Sequence, residues 1–135
     1  MTLTYVDAGV LIAAVRGQAS QAERALAILD DPDRQFAASS FLRLEVLPQA
    51  LFNKRNDEVA FYERFFSAVA AWATDLPAIT EAALEEAANC GVEAMDALHV
   101  AAAASVAAVE LVTTEKPSRS IHRARAVKIV TIHPD

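Results

Sequence analysis

Two kinds of hydrophobic pattern alternate along the chain, and they predict strands and helices in turn. Segments that are apolar, or that alternate apolar and polar residues, predict strands over Thr2–Val6, Gln35–Ser39, Trp72–Leu76, Leu111–Thr113 and Val127–Ile132. Apolar residues three or four positions apart predict helices over Val10–Val15, Ser20–Leu29, Ser40 to about Asn53, and Met95–Val109. Two further helices are predicted from their ends: one begins at Asp57, and the other is capped by Thr80 and ends at Gly91. Strands that alternate with helices indicate an α/β fold with a mainly parallel sheet.

The helix that begins at Asp57 carries an aromatic and apolar series. Phe61, Phe65, Val69 and Trp72 repeat every three or four residues. Such a series is typical of a helix face that packs against the core or against a second copy of the chain. The sequence leaves both interpretations open and favours them over a cofactor site.

Length and composition predict one domain over residues 1–135. The chain is 54% hydrophobic, has only 3 Gly and 5 Pro, and contains no repeat or linker. Its longest apolar stretch, Val100–Val109, is about half the length that a membrane span needs, so no membrane segment is expected. The N-terminus lacks a signal-peptide pattern, and Cys90 is the single cysteine. We therefore expect a cytosolic protein.

The net charge of −6 argues against nonspecific attraction to nucleic acid, but the charges are unevenly distributed. Five of the twelve basic residues fall in one short segment that contains no acidic residue: Lys116, Arg119, Arg123, Arg125 and Lys128. This segment is either an ordinary solvated surface or a patch that contacts phosphates.

Three acidic residues stand where strands end or helices begin. Asp7 follows the first strand, Asp96 begins an alanine-rich helix, and Glu115 follows the fourth strand. Ligands of parallel sheets bind beyond the carboxyl ends of the strands, which favours a shared site. Taken singly, each acid has a simpler explanation: helix capping for the two aspartates and an ordinary turn for Glu115.

Glu45 is the fourth candidate, because it lies in a mostly apolar helix. Arg43 is two residues away and faces elsewhere on that helix, so it is a poor partner. A carboxylate beside so much apolar surface requires water, a partner or a metal ion. A narrow solvated stripe through Glu45 and Gln49 is the alternative.

Two further polar residues accompany these acids. His99 lies one helical turn after Asp96. A hard divalent cation prefers oxygen ligands, so we do not expect His99 to bind the metal itself. We expect it to be packed in the core or to hydrogen-bond a side chain that binds the metal. Thr113 precedes Glu115 by two positions and is placed to hydrogen-bond a neighbouring carboxylate.

Two other chemistries of α/β domains are disfavoured. A phosphoacceptor receiver domain needs an acidic pair after the first strand and a lysine after the last one, whereas this chain has Asp7-Ala8-Gly9 and His133-Pro134. A phosphatase with an aspartate nucleophile usually has a second acid two residues later, where Gly9 stands.

These segments resemble the PIN-domain nucleases, and most closely the VapC-type toxins of bacterial toxin–antitoxin pairs. The resemblance covers essentially the whole chain and rests on four segments, at residues 5–12, 44–46, 95–101 and 111–115. The segment Met95-Asp96-Ala97-Leu98-His99-Val100-Ala101 is the most specific. One position departs from the pattern, because the family usually has Asp where this chain has Glu115.

The resemblance implies a three-layer α/β/α PIN-like fold and hydrolysis of RNA phosphodiester bonds with Mg²⁺ or Mn²⁺. Asp7 and Asp96 would bind the metal, and Glu45 and Glu115 would act directly or through water, with Thr113 in support. Lys116, Arg119 and Arg123 would contact RNA phosphates. The implied partners are an antitoxin protein and a second copy of the chain. The alternative is a catalytically weak PIN-like module that binds RNA or protein.

Overall fold

The computed structural model describes residues 1–134 and contains one parallel sheet with helices on both faces. The strands are β1 (Thr2–Val6), β2 (Arg34–Ser39), β3 (Ala71–Ala73), β4 (Glu110–Thr113) and β5 (Lys128–Thr131). The α-helices are α1 (Ala8–Arg16), α2 (Ala19–Leu29), α3 (Ser40–Phe52), α4 (Asn56–Ser67), α5 (Leu76–Cys90) and α6 (Ala94–Ser105). A short 3₁₀ helix, Ser120–Arg123, precedes β5. The strand order is β3-β2-β1-β4-β5, and every pairing is parallel.

The sheet is buried on both faces, which confirms the predicted three-layer α/β/α arrangement. Neighbouring residues of a strand point to opposite faces. Accordingly, Tyr5 and Leu111 pack under α5 and α6, whereas Val6 and Val112 pack under α1 to α4. This explains why consecutive strand residues such as Tyr5 and Val6, or Leu111 and Val112, are both apolar, as is typical of parallel sheets.

The strand order creates a switch point between β1 and β4. From β1 the chain builds outward through β2 and β3, then crosses back to β4 and continues outward through β5 on the other side. The connections that leave β1 and β4 therefore diverge, and a crevice opens between them at the carboxyl edge of the sheet. Asp7 follows β1 at this edge, and its backbone N–H donates to the carbonyl of Val112 in β4.

Several helix and strand ends agree with the sequence prediction. β1 spans the predicted residues, and α3 begins after Ser39, whose hydroxyl accepts from the Leu42 N–H as a helix N-cap. α5 ends at Gly91, which adopts the left-handed conformation that glycine tolerates best, with φ 70°.

The predicted end of α4 and the predicted start of α5 are wrong. α4 ends at Ser67, so Trp72 belongs to β3, which is shorter and begins earlier than the predicted strand. α5 begins four residues before the predicted Thr80 cap, with Asp75 as its N-cap. Pro77 falls in the first turn of α5, where its missing N–H costs nothing.

The predicted aromatic and apolar series packs against the core of its own chain. Phe61, Phe65 and Val69 are partly buried against the cluster under α1 to α4. The Phe65 ring lies 5.7 Å from the ring of Phe36 on β2. Core packing is therefore the interpretation that the structure supports.

α6 is shorter than predicted, because it ends at Ser105 rather than at Val109. Ala107 adopts a left-handed conformation with φ 58°, and the next N–H, from Ala108, bonds back to the carbonyl of Ala103. This is a common helix ending in which glycine usually occupies the left-handed position. Alanine there gives no sequence signal for the end of the helix. Within residues 1–134, no helix combines the length and apolar character needed to cross a membrane.

Candidate metal centre

Asp7 is held between the start of α1 and the end of β4. Its Oδ1 accepts a hydrogen bond from the Val10 N–H at 3.2 Å, so Asp7 caps α1. Helix capping was one of the two roles that the sequence predicted for Asp7. Its Oδ2 accepts a 2.5 Å hydrogen bond from the Thr113 hydroxyl, which is the contact expected of Thr113. With only 7% of its surface exposed, Asp7 is held in a fixed orientation at the switch point.

The surroundings of Asp7 oppose its negative charge. Burial raises the pKa of its carboxyl from 3.8 to about 6, and the charge on Asp96 adds to this increase. The hydrogen bond from Thr113, the nearby His99 and the Val10 N–H act in the opposite direction and favour the carboxylate. The balance leaves a buried acid whose ionised form is short of positive charge.

Asp96 lies in the first turn of α6 and is not its cap, because Glu93 occupies the capping position. The capping interpretation therefore holds for Asp7 and is wrong for Asp96. Burial raises the pKa of the Asp96 carboxyl, and the charges of Glu115, Glu93 and Glu45 raise it further. Asp96 is thus a second acid whose ionised form a nearby cation would stabilise.

Glu45 contacts His99 across the carboxyl edge of the sheet. The carboxylate Oε1 is hydrogen-bonded to Nε2 of the imidazole, and Arg43 pairs with Glu63 instead. His99 is only 2% exposed, which agrees with the expectation of a packed histidine that contacts a candidate ligand. Its other ring nitrogen, Nδ1, is hydrogen-bonded at 2.7 Å to the phenol of Tyr5.

The backbone of Glu115 is held firmly, whereas its side chain is half exposed. Its N–H donates to the Thr113 hydroxyl at 3.1 Å, and its carbonyl accepts from Thr131 at 2.6 Å and from His122 Nε2 at 3.0 Å. Its carboxylate lies 3.5 Å from the Arg119 guanidinium. Both charged groups are exposed, so this ion pair is weak and the Glu115 carboxylate stays available.

All four candidate acids line one small cavity of about 100 Å³, named here the acidic cavity. It is lined by Asp7, Ala8, Gly9, Glu45, Asp96, His99, Thr114 and Glu115. Gly9 is needed for close packing, because a Cβ there would overlap the Thr114 hydroxyl. The acids predicted from the sequence are therefore brought together from the junction of β1 with α1, from α3, from α6 and from the loop after β4.

The donor set of the acidic cavity fits a hard divalent cation. Within residues 1–134, no three histidine, cysteine or acidic side chains form a ready-made cage for a metal ion. Mg²⁺ requires no such cage, because it keeps several waters and is usually bound by one or two carboxylates. Asp7 supplies buried carboxylate oxygens and Asp96 partly buried ones, and the pKa of each carboxyl is raised because burial and neighbouring negative charges oppose its ionised form. A divalent cation would favour that ionised form.

The three basic residues expected to contact phosphates differ in their surroundings. Lys116 is exposed beside the acidic cavity, and Arg119 is exposed and paired with Glu115. Arg123 instead directs its guanidinium to the end of α5, where it donates to the carbonyls of Cys90 at 2.9 Å and Gly91 at 2.5 Å. Arg123 thus has a helix-capping contact that the sequence did not indicate.

Sequence reasoning missed Tyr5, Ser39 and Thr114. Tyr5 and Ser39 are fully buried, and their hydroxyls lie 2.7 Å apart beneath the acidic cavity. One feature of the sequence could have indicated Tyr5: it lies two residues before Asp7 in a strand buried on both faces, and a buried hydroxyl requires a hydrogen-bond partner.

Comparison with known sequences identifies one family. The family model of the PIN domain matches residues 4–119. No curated protein sequence matches the chain significantly.

Three solved structures share the fold over nearly their full length. VapBC2 from Rickettsia felis, bound to a DNA fragment from its promoter, is 15% identical with a TM-score of 0.71, over 96% of this chain and 98% of that chain. DNA-bound VapBC from Salmonella typhimurium is 21% identical with a TM-score of 0.65, over 97% and 98%. FitAcB from Neisseria gonorrhoeae is 21% identical with a TM-score of 0.59, over 93% and 95%.

Proposed function

The chain belongs to the PIN domain family, and from this premise we propose that it is a Mg²⁺- or Mn²⁺-dependent ribonuclease that hydrolyses phosphodiester bonds. One observation carries the proposal: Asp7, Glu45, Asp96 and Glu115 line a single cavity at the switch point of the sheet. Carboxylates brought together in this way repel each other unless a cation or a proton accompanies them.

The four acids have different roles in this proposal. Asp7 and Asp96 would hold the metal directly, because both line the acidic cavity and burial raises the pKa of each carboxyl. Glu45 and Glu115 would bind it directly or through water, and Thr113 orients Asp7. When bound, a divalent metal lowers the pKa of a coordinated water and neutralises charge on the phosphate. Glu45, at the cavity rim, would orient the attacking water.

The basic segment after β4 supports a nucleic acid as the substrate, and RNA is the one that the family resemblance implies. Lys116 and Arg119 are exposed directly beside Glu115. They would contact phosphates next to the scissile bond and offset the net charge of −6 close to the site. Because Arg123 contacts the end of α5, we assign the phosphate contacts first to Lys116 and Arg119.

The biological role that fits best is the toxin of a toxin–antitoxin pair in the cytosol. The support is the resemblance of the four acidic segments to VapC-type toxins, together with a fold shared with chains of two VapBC structures. An antitoxin would cover the acidic cavity, and a second copy of the chain would form a homodimer.

Cleavage of a panel of structured RNAs tests the catalytic proposal. Purified protein should cleave with Mn²⁺ and not with EDTA, and Mn²⁺ should raise its melting temperature because it binds the folded state. Asp7→Asn and Asp96→Asn should abolish cleavage without unfolding the protein. Asp57→Asn, an exposed position in the first turn of α4, is the matched control and should cleave normally.

Two results would overturn the assignment. Metal-dependent cleavage retained in either Asp7→Asn or Asp96→Asn would exclude these residues as essential ligands. RNA binding without any cleavage across the panel in Mn²⁺ would favour a binding module instead.

A further inference from the structure

Beneath the acidic cavity, three buried side chains connect Glu45 back to its own helix. The Tyr5 hydroxyl lies 2.7 Å from the Ser39 hydroxyl and 2.7 Å from Nδ1 of His99. Nε2 of His99 is hydrogen-bonded to the Glu45 carboxylate. Ser39 caps the N-terminus of α3, and Glu45 lies on the same helix, so the series of hydrogen bonds begins and ends on α3 and passes through β1 and α6.

Counting hydrogens gives this series a direction. The Ser39 oxygen accepts the Leu42 N–H, and among the described residues the Tyr5 oxygen is the one acceptor within reach of the Ser39 hydrogen. The Tyr5 hydrogen is then free for Nδ1 of His99, and the hydrogen on Nε2 is free for Glu45. Every hydrogen in this arrangement has an acceptor, and the Tyr5 oxygen, Nδ1 of His99 and the Glu45 carboxylate each accept one of them.

The opposite direction leaves a buried group unsatisfied. If Nδ1 of His99 donated to Tyr5, and Tyr5 to Ser39, the Ser39 hydrogen would find no other acceptor within residues 1–134. A neutral imidazole would then also turn a lone pair toward the Glu45 carboxylate. Ser39 and Tyr5 are fully buried, so water cannot supply an acceptor for the Ser39 hydrogen, and the His99 lone pair would face the Glu45 carboxylate with no hydrogen between them.

We propose that Ser39, Tyr5 and His99 form a one-directional hydrogen-bond relay that holds His99 as the Nε2–H tautomer and fixes the Glu45 carboxylate at the rim of the acidic cavity. His99 and Tyr5 are positioning residues in this relay. The tautomer follows from the hydrogen bonds alone, whereas the effect on catalysis rests on the proposed nuclease function.

Glu45 has a particular need for such a relay. Its side chain is 34% exposed, and a glutamate has three rotatable bonds, so without a partner it would sample many rotamers. Asp7, in contrast, is fixed by two donors, from Val10 and Thr113. A rigid N–H from buried His99 supplies the orientation that the longer side chain lacks.

The first experiment reads the tautomer directly by NMR of metal-free, ¹⁵N-labelled protein at a pH where free histidine is neutral. His99→Gln identifies the His99 signals, and His122 and His133 serve as internal references. We expect His99 to be protonated on Nε2 only, with Nδ1 as a bare acceptor. A dominant Nδ1–H form, an imidazolium, or a mixture of tautomers would overturn the proposal.

The second experiment breaks the relay without touching Glu45. Tyr5→Phe removes only the phenolic oxygen and should mix the His99 tautomers and raise the Mn²⁺ dissociation constant roughly tenfold. Ser39→Ala breaks the relay one bond further away and should act in the same direction but less strongly. Tyr62→Phe is the matched control: Tyr62 is also buried, lies under the opposite face of the sheet, and should leave both readouts unchanged.

Cleavage assays separate this proposal from the proposed function. With an active substrate, Tyr5→Phe should lower kcat and leave KM unchanged, because the relay acts on Glu45 and not on RNA binding. If no RNA is cleaved, the nuclease proposal fails, and the tautomer and Mn²⁺ measurements still decide the relay. Wild-type Mn²⁺ affinity and an unchanged His99 spectrum in folded Tyr5→Phe would overturn the relay even in an active nuclease.

Discussion

The Thr113 hydroxyl donates a 2.5 Å hydrogen bond to Oδ2 of Asp7 and simultaneously accepts the backbone N–H of Glu115 at 3.1 Å. One buried hydroxyl thus connects two candidate metal-site acids that follow adjacent strands. Its position is set by the pairing of β1 with β4, so the parallel sheet itself fixes the spacing of these acids.

Thr113→Val should disturb the site while preserving the shape of the strand. The substitution leaves Asp7 Oδ2 without a donor in a buried location, which should cost about 1–3 kcal/mol of unfolding free energy. It should also weaken Mn²⁺ binding, because Asp7 loses its fixed orientation. Urea unfolding and Mn²⁺ titration measure the two effects.

Thr4→Val is the matched control for that substitution. Thr4 is equally buried in β1, and its hydroxyl donates to Glu110 at 2.7 Å, outside the acidic cavity. It should lose about 1 kcal/mol of stability and keep wild-type Mn²⁺ affinity. Equal Mn²⁺ affinities for the two variants would show that the Thr113 hydroxyl does not serve the metal site.

Asp7→Asn should stabilise the metal-free protein above pH 6. The folded carboxyl has a pKa raised from 3.8 to about 6, so it holds its proton more strongly than in the unfolded chain. In the wild type, the stability that the Asp7 carboxyl gains from its raised pKa is therefore fully present below pH 3.8 and is lost as the pH rises through about 6. The loss is about 3 kcal/mol at most, at ~1.4 kcal/mol per pKa unit.

The measurement is the difference in unfolding free energy between Asp7→Asn and wild type in EDTA as a function of pH. Taking the difference removes the titration of groups that both proteins share. The gain from Asn should be largest at neutral pH and vanish toward pH 4, close to the ordinary carboxyl pKa of 3.8. A difference that is constant across this range would contradict the raised pKa of Asp7.

Glu115→Ala tests the acid whose side chain is half exposed and paired with Arg119. Removing its charge should lower the pKa of Asp96 toward its ordinary value, since Glu115 is the strongest of the charges that raise it. Mn²⁺ binding and cleavage should both weaken. Glu93→Ala is the control, because Glu93 also raises the pKa of Asp96 but does not line the acidic cavity. Wild-type cleavage by Glu115→Ala would leave three acids to carry the chemistry.

Ala107→Gly should stabilise the protein. Ala107 follows α6 with φ 58°, and an L-residue pays about 1–2 kcal/mol for this conformation. Glycine removes that strain at some cost in backbone entropy, so a net gain of about 0.5–1 kcal/mol is expected. In the middle of α5, exposed Ala82→Gly should instead lose about 1 kcal/mol. Thermal unfolding checks both, and a loss at Ala107 would contradict the strain.

The sequence by itself determined the alternation of strands and helices, and with it the edge of the sheet where Asp7 and Glu115 lie. This follows because local hydrophobic periodicity reflects burial on one or both sides of an element, and because parallel strands end at a common edge. The end of α6 was predicted wrongly, because Ala107 adopts a conformation that alanine does not signal.

Only the tertiary structure decided which partner each polar side chain has. The contact of Glu45 with His99 joins residues 54 positions apart, and the hydrogen bond of Tyr5 to His99 joins residues 94 positions apart. Arg123 likewise was a candidate phosphate contact in the sequence and contacts the end of α5 in the fold. A local pattern records whether a residue is buried. It does not record which distant residue shares its site, because that depends on how the strands and helices are arranged in space.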